Sequence, residues 1–301
     1  MCKLRGLLAI VSTTILWSLA IVLIKYLSIY FDVATQNWIR YSSASLFLLL
    51  LSLSRLRELK ETFIDKATLL PAFLVFSFQT LAVHGLYMTK STIASLLMRT
   101  SVVFTVILSY ILFKEERHII KSKQFTLGSL IAFIGVVGIY YKPGEFVEWS
   151  ESLGTLLVIL GSLMWSGYVV SVRKLLKGRD PLLFTTAVIS VSSLMFIPHV
   201  MINGRPLQIL NRTLEVNVIL IVSGILGVGL GNWMNYIAMK ELGAVIPSVL
   251  RLLVPLFTGV LSFLILGETL LLSEIIFGGI LLLGCSIVIH YTTRVTIEGQ
   301  S

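Results

Sequence analysis

Charge is what this sequence has least of. Asp, Glu, Lys and Arg make up 13% of its 301 residues, and mean hydropathy is +0.94. A soluble domain averages about 25% charged residues, so this balance excludes an ordinary water-soluble protein. Cysteine is nearly absent. Cys2 and Cys285 lie at the far N-terminus and in the last apolar run, which makes no disulfide framework. Four scattered histidines and two cysteines do not make a metal site. Residues 224–232, GILGVGLGN, have the glycines of a phosphate loop, but no Lys-Ser/Thr follows and the stretch lies inside an apolar run. They read as a close helix contact or a hinge. No nucleotide-driven pump, catalytic residue, cofactor or metal is expected.

Long apolar runs are what is there. A helix needs about 20 residues to cross a bilayer, and ten stretches qualify: 6–24, 33–53, 69–88, 92–113, 125–141, 153–173, 182–202, 216–239, 244–266 and 273–292. They leave no room for a soluble domain. The first continues past Ser18-Leu19-Ala20 without a cleavage point and reads as a retained helix rather than a secretory signal. With the N-terminus inside, the inner segments hold Lys3, Arg5, Arg55, Arg57, Lys60, Lys66, Lys114, Arg117, Lys121, Lys123, Arg173, Lys174, Lys177, Arg179, Lys240 and Arg294. The outer segments hold only Lys25, Lys90, Lys142, Arg205 and Arg212. This asymmetry places both termini in the cytoplasm of a multi-pass protein of the plasma or inner membrane. It makes the net charge of +9 a matter of topology, with no nucleic-acid partner.

The chain repeats itself. ILWSLAIVLIKYL (15–27) returns as LMWSGYVVSVRKL (163–175), an offset of 148 that sets Trp17 on Trp165, Ser18 on Ser166, Lys25 on Arg173 and Asp32 on Asp180. Further on, an offset of 153 sets Phe104-Thr105 on Phe257-Thr258, Ser109 on Ser262 and Glu115 on Glu268. The unit is five helices written twice, over residues 1–142 and 150–294. Because five is odd, the second copy enters the membrane from the other side, the inverted arrangement that recurs in secondary transporters. Ten helices as 5+5, the two Trp-Ser pairs and the passage 236–268 with Pro255 and closing Glu268 resemble the drug/metabolite transporter superfamily, EamA type. The resemblance implies transport of small organic solutes such as amino acids. The first half departs from it at Val102, opposite Pro255, and at Lys114, opposite Gly267.

Polar groups inside the apolar runs point to a site. The interiors of the spans hold no acid but three arginines, Arg40, Arg99 and Arg251, each seven residues in, about 10 Å deep. A charge at that depth is costly. Either it snorkels to the headgroups or it faces a wet cavity, where a carboxylate-bearing solute is its natural partner. Gln36 and Asn37 precede Arg40 at helical spacing, and Ser91 and Ser95 precede Arg99. Ser248 precedes Arg251. Asn232, Asn235 and Tyr236 share a face, and Gln79, His84 and Tyr87 are candidates on the third helix. Pro247 and Pro255 bend the ninth helix and release carbonyls beside Arg251. Trp17 and Trp165 sit mid-helix, either packing the halves together or lining the cavity. Glu115, Glu116 and Glu268 cap or are solvated at helix ends.

The expected protein is all-α and polytopic. It is a secondary transporter working by alternating access, with a small-molecule solute and membrane lipid as partners, and it is a monomer or homodimer. The alternatives are a membrane-embedded lipid-modifying enzyme, which would need a cluster of acids or histidines near one leaflet, and a channel.

Overall fold

Away from water a chain must satisfy its backbone hydrogen bonds within itself, and long apolar segments do so as helices. The computed structural model describes residues 2–112, 122–140, 149–176, 178–242, 247 and 250–298, and among these no strand occurs. The helices are α1 (Cys2–Leu27), α2 (Val33–Leu51), a short α3 (Leu56–Ile64), α4 (Leu69–Met88), α5 (Ser91–Leu97) and α6 (Ser101–Leu112). They continue as α7 (Lys123–Tyr140), α8 (Trp149–Leu175), α9 (Pro181–Asn203), α10 (Leu214–Ser223), α11 (Gly231–Leu242), α12 (Val254–Leu266) and α13 (Leu272–Glu298). A 3₁₀ turn, Met98–Thr100, joins α5 to α6, another, Arg251–Leu253, leads into α12, and a π-helix, Gly224–Leu230, joins α10 to α11. Ser248 and the pair Glu115 and Glu116 lie outside the described residues.

Six of the described rods are long and apolar enough to cross a bilayer: Leu4–Leu27, Lys66–Met88, Ser91–Leu112, Ser152–Leu175, Pro181–Asn203 and Leu214–Leu242. Lys123–Gly138, Arg251–Leu266 and Leu272–Val288 are apolar but shorter. At 19 residues α2 has the length but not the hydropathy, because Thr35, Gln36, Asn37, Arg40 and Tyr41 crowd its first half. All five are buried, so this polar helix is wrapped by its neighbours. Outer faces carry the reverse pattern. Leu46, Phe133, Leu194, Val260, Phe263 and Leu264 are all exposed, an apolar surface that suits lipid rather than water.

Packing interleaves the two parts of the chain. The largest contacts are α4 with α8, α7 with α13, α1 with α11 and α2 with α9. Next come α2 with the π-helix, α1 with α12, α6 with α8 and α4 with α9. Every one of these pairs joins an element before residue 142 to one after residue 148. The core does the same: one cluster gathers Val83, Leu86 and Leu97 with Val158, Leu252 and Leu281, another Tyr41 and Val75 with Tyr168, Phe184 and Tyr236. Glycines permit the closest approaches. A Cβ on Gly284 would stand 2.4 Å from Ala132 N and 2.6 Å from Gly128 O, so α13 and α7 meet backbone to backbone.

The bundle has two unlike ends. At one, where α2 stops and α9 starts, Arg55 reaches Glu58 and, at 2.9 Å, Asp180, while Arg179 pairs with Asp65. At the other, where α1 stops and α2 starts, Asp32 caps α2 through Thr35 N at 2.8 Å, and its second oxygen accepts from Arg205 N at 3.0 Å. Asp180 caps α9 in the same way, through Leu182 N and Leu183 N. Burial pushes the Asp180 carboxyl up, but the Arg55 guanidinium and these two N–H groups outweigh it and hold it below its ordinary range. Arg55 likewise holds Glu58 below the usual carboxylate range.

Candidate functional site

Among the described residues Arg40 and Arg99 bond to neutral partners, and Arg251 bonds to Asn235. Arg40 is 2% exposed; its Nε donates to Ser223 Oγ at 3.2 Å, and its Nη1 is buried without a hydrogen-bond partner among the described residues. It lies under the π-helix, where a Cβ on Gly224 would come 2.4 Å from the Arg40 carbonyl oxygen. Gly224 and Gly227 therefore serve close packing, and Arg40 does not snorkel. A π-turn disturbs the regular ladder of carbonyls. Here an indole answers it: Trp17 Nε1 donates to Gly227 O at 3.1 Å.

Arg251 donates through Nη1 to Asn235 Oδ1 at 3.2 Å. Its carbonyl, which Pro255 denies an α-helical donor, accepts from Val254 N in the 3₁₀ turn and from Arg99 Nη1 at 3.0 Å, and Arg99 Nε bonds Ser95 O at 3.2 Å. Pro255 opens α12 and is buried, as is Pro247. Yet the bend does not depend on proline. At an offset of 153, Met98–Thr100 overlays Arg251–Leu253, and it forms the same 3₁₀ turn with Val102 where Pro255 stands. In the first half hydroxyls take the place of the ring. Ser95, Thr100 and Ser101 each bond the carbonyl three residues back at 2.7 Å, which competes with the α-helical pattern.

The other candidates fall into linked sets. Asn232 Nδ2 holds Val228 O at 2.8 Å while its Oδ1 accepts from Tyr168 OH at 3.5 Å, and Tyr168 OH also touches Tyr236 OH. Gln79 and Asn37 exchange bonds of 3.3 and 3.4 Å. Trp17 and Trp165 meet edge to face, centroids 5.4 Å apart at 84°, and Trp165 also packs on Phe78 and Tyr168 at 4.9 Å. The two tryptophans thus touch each other across the halves. His84 stands apart from the arginines, bonding Thr80 O at 2.7 Å through Nδ1 and lining a different space. That space is an open pocket of about 450 Å³ at the Asp32 end, lined in part by Ser28, Tyr30, His84, Tyr87, Gln208 and Arg212. Arg40, Arg99 and Arg251 do not line it. Tyr87 OH bonds Gln36 Oε1 at 2.6 Å and Phe31 O at 3.0 Å, closing the α2 stripe on which Arg40 sits one turn further in.

Several polar contacts were not singled out in the sequence. Ser42 meets Ser193 at 3.0 Å and Ser45 meets Ser190 at 2.7 Å, binding α2 to α9. The offset of 148 turns either pair into the other, which is the signal that could have found them. Glu274, 4% exposed, pairs with Lys90 at 3.0 Å. Glu268 reaches across to the first turn of α5, accepting from Ser91 N at 3.0 Å, Ser91 Oγ at 2.7 Å and Ser262 Oγ at 2.5 Å.

Known proteins resemble the chain over nearly its whole length. A transporter from Haemophilus influenzae named as uncharacterized is 23% identical over 90% of this chain and 92% of its own. One from Methanothermobacter thermautotrophicus, named likewise, is 26% identical over 94% of this chain and 86% of its own. The uncharacterized transporter YyaM of Bacillus subtilis is 28% identical over 70% and 68%. A solved structure described only as that of a protein superposes with a TM-score of 0.68 over 97% of this chain and 98% of its own, at 12% identity, and so shares the fold. The sequence pattern of the EamA-like transporter family matches residues 4–141 and again 152–290. This multi-pass helical membrane protein belongs to the EamA-like transporter family.

Proposed function

We propose that the protein is a secondary transporter that carries a small carboxylate-bearing organic solute, an amino acid or related metabolite, by alternating access between two inverted five-helix repeats. The observation that carries the reading is Arg40: a guanidinium buried between elements of the two halves, with one terminal nitrogen unbonded among the described residues. Neither Arg40 nor Arg99 has a carboxylate within ion-pair reach among the described residues. A cation kept in an apolar bundle without an acid is offset most readily by an anionic solute.

The repeat supports the alternation. Exchanging the halves turns the α4–α8 contact into α11–α1 and the α2–π-helix contact into α9–α4. It turns α1–α12 into α8–α6, and it returns α2–α9 and α7–α13 to themselves. Single bonds follow suit: Ser18 Oγ donates to Val254 O at 3.2 Å, and Ser166 Oγ donates to Ser101 O at 2.8 Å. Two equivalent bodies related in this way can rock about the contacts that map onto themselves. The units are residues 1–142 and 150–294, and the basic residues of the loops set both termini in the cytoplasm.

The test is counterflow in proteoliposomes loaded with a mixture of amino and organic acids. Uptake of a labelled carboxylate should be driven by its unlabelled copy and be lost in Arg40→Gln, while Lys60→Gln on the surface leaves it intact. Equal uptake by Arg40→Gln would remove the residue from the site, and an absence of counterflow for every carboxylate would remove the solute class.

A further inference from the structure

The two ends of the bundle are built from equivalent loops in unequal states. Under the offset of 148, the α8–α9 loop with Asp180 is the copy of the α1–α2 loop with Asp32, and the segment after α2 is the copy of the segment after α9. At the Asp180 end these loops are bound across the halves by reciprocal charges. Arg55 of the first half takes Asp180 at 2.9 Å, and Asp65 of the first half takes Arg179. Within the second half, Lys240 donates to Arg179 O at 3.2 Å. At the Asp32 end the corresponding loops stand apart enough to leave the pocket of about 450 Å³. There the Asp32 carboxylate, besides capping its own helix, reaches across the halves to the backbone N–H of Arg205 at 3.0 Å, and Gln208 Oε1 accepts from Asp32 N at 3.4 Å. The Arg205 guanidinium makes no ion pair or hydrogen bond among the described residues, and Arg212 spends Nε on Tyr30 O at 3.0 Å. Lys90–Glu274 and Glu268–Ser91 also tie the halves at this end, but none of these four residues lines the pocket.

Resting on the transport reading above, we propose that the ion pairs Arg55–Asp180 and Asp65–Arg179 form a gate that is shut in this conformation, and that the pocket is the port open to solute. In the opposite conformation the equivalence of the loops is exchanged. The Arg55 and Arg179 pairs part, the pocket collapses, and Asp32 takes the Arg205 side chain as Asp180 now takes Arg55. The gate charges lie about a third exposed, a setting in which a pair contributes little and can open without a large penalty.

Cysteine reactivity tests this without any solute. In full-length protein in lipid nanodiscs, with Cys2→Ser and Cys285→Ala, Ser28→Cys reports on the pocket through its rate of reaction with a small water-soluble maleimide. The double variant Arg55→Gln, Arg179→Gln should slow that reaction at least about threefold, a shift two exposed pairs can supply. Adding Asp32→Asn, which keeps the helix cap, should restore the rate, and so should adding Arg205→Gln. An unchanged rate in the double variant overturns the proposal, and so does slowing that neither addition reverses. Because the readout needs no transport, a gate that responds while counterflow fails for every carboxylate would sink the solute reading and leave the gate standing.

Discussion

Two glycines on the same helix, five residues apart, should respond unequally to the same substitution. Gly279 and Gly284 both lie on α13; a Cβ at Gly279 meets nothing within 4 Å, whereas at Gly284 it would press on Ala132 N, Gly128 O and Ala132 Cα at 2.4, 2.6 and 2.8 Å. All three obstacles are backbone, so no rotamer change relieves them. The helices must part by about 1 Å, which forfeits roughly a quarter to a half of the dispersion attraction along that seam. Overpacking of this kind costs about 1–3 kcal/mol, and the better helix propensity of alanine returns up to about 1 kcal/mol. Gly284→Ala should therefore fall about 1–3 kcal/mol below Gly279→Ala, which itself gains up to about 1 kcal/mol. Unfolding by sodium dodecyl sulfate in mixed micelles, followed by circular dichroism, would rank Gly279→Ala above Gly284→Ala. If Gly284→Ala matched or exceeded Gly279→Ala, the backbone contact between α7 and α13 would not exist as described.

Other outcomes follow from single contacts. Trp17→Phe keeps the edge-to-face ring contact with Trp165 but leaves Gly227 O without its donor. It should cost about 1–3 kcal/mol in the same micelle assay, and Trp165→Phe, which loses no bond of that kind, should cost less. The Asp180 and Glu58 carboxyls are held below their ordinary range in the folded chain. Their contribution is therefore complete at neutral pH and is lost as pH falls through and below the ordinary carboxylate range. Acid titration of stability between pH 6 and pH 3 should show a decline that is shallower in Arg55→Gln. Tyr168→Phe removes the hydroxyl shared with Tyr236 and Asn232; it should weaken solute binding more than it weakens the fold, read as a raised concentration for half-maximal counterflow.

Much of the architecture was legible because it is set by coarse patterns. Apolar runs fix where helices lie, and the copied Trp-Ser pairs and aspartates reveal the repeat. The polar stripe Gln36, Asn37, Arg40 showed that α2 needs shelter, which it receives. What escaped depends on contacts between residues far apart in sequence. The turn at Met98–Thr100 carries no proline, and serines and threonines bonding back to their own helix look like any others until the geometry is seen. Glu268 and Glu274 sit at span ends where an acid is ordinarily solvated; their partners Ser91 and Lys90 lie more than 170 positions away. His84 was grouped with the arginines by its place on a helix face, but it lies about one turn nearer the end of α4 than Gln79 and belongs to the pocket.

The π-helix between α10 and α11 makes the length of that rod a matter of phase. Each residue of an α-helix turns the chain by about 100°, so shortening the stretch by one, for instance by deleting Gly229, would swing Asn232, Asn235 and Tyr236 off their present bearing. Tyr168 and Arg251 would then face a different strip of the same helix, although the hydrophobic character of the segment would hardly change. A hydropathy profile is blind to such a deletion; the angular bookkeeping of the site is not.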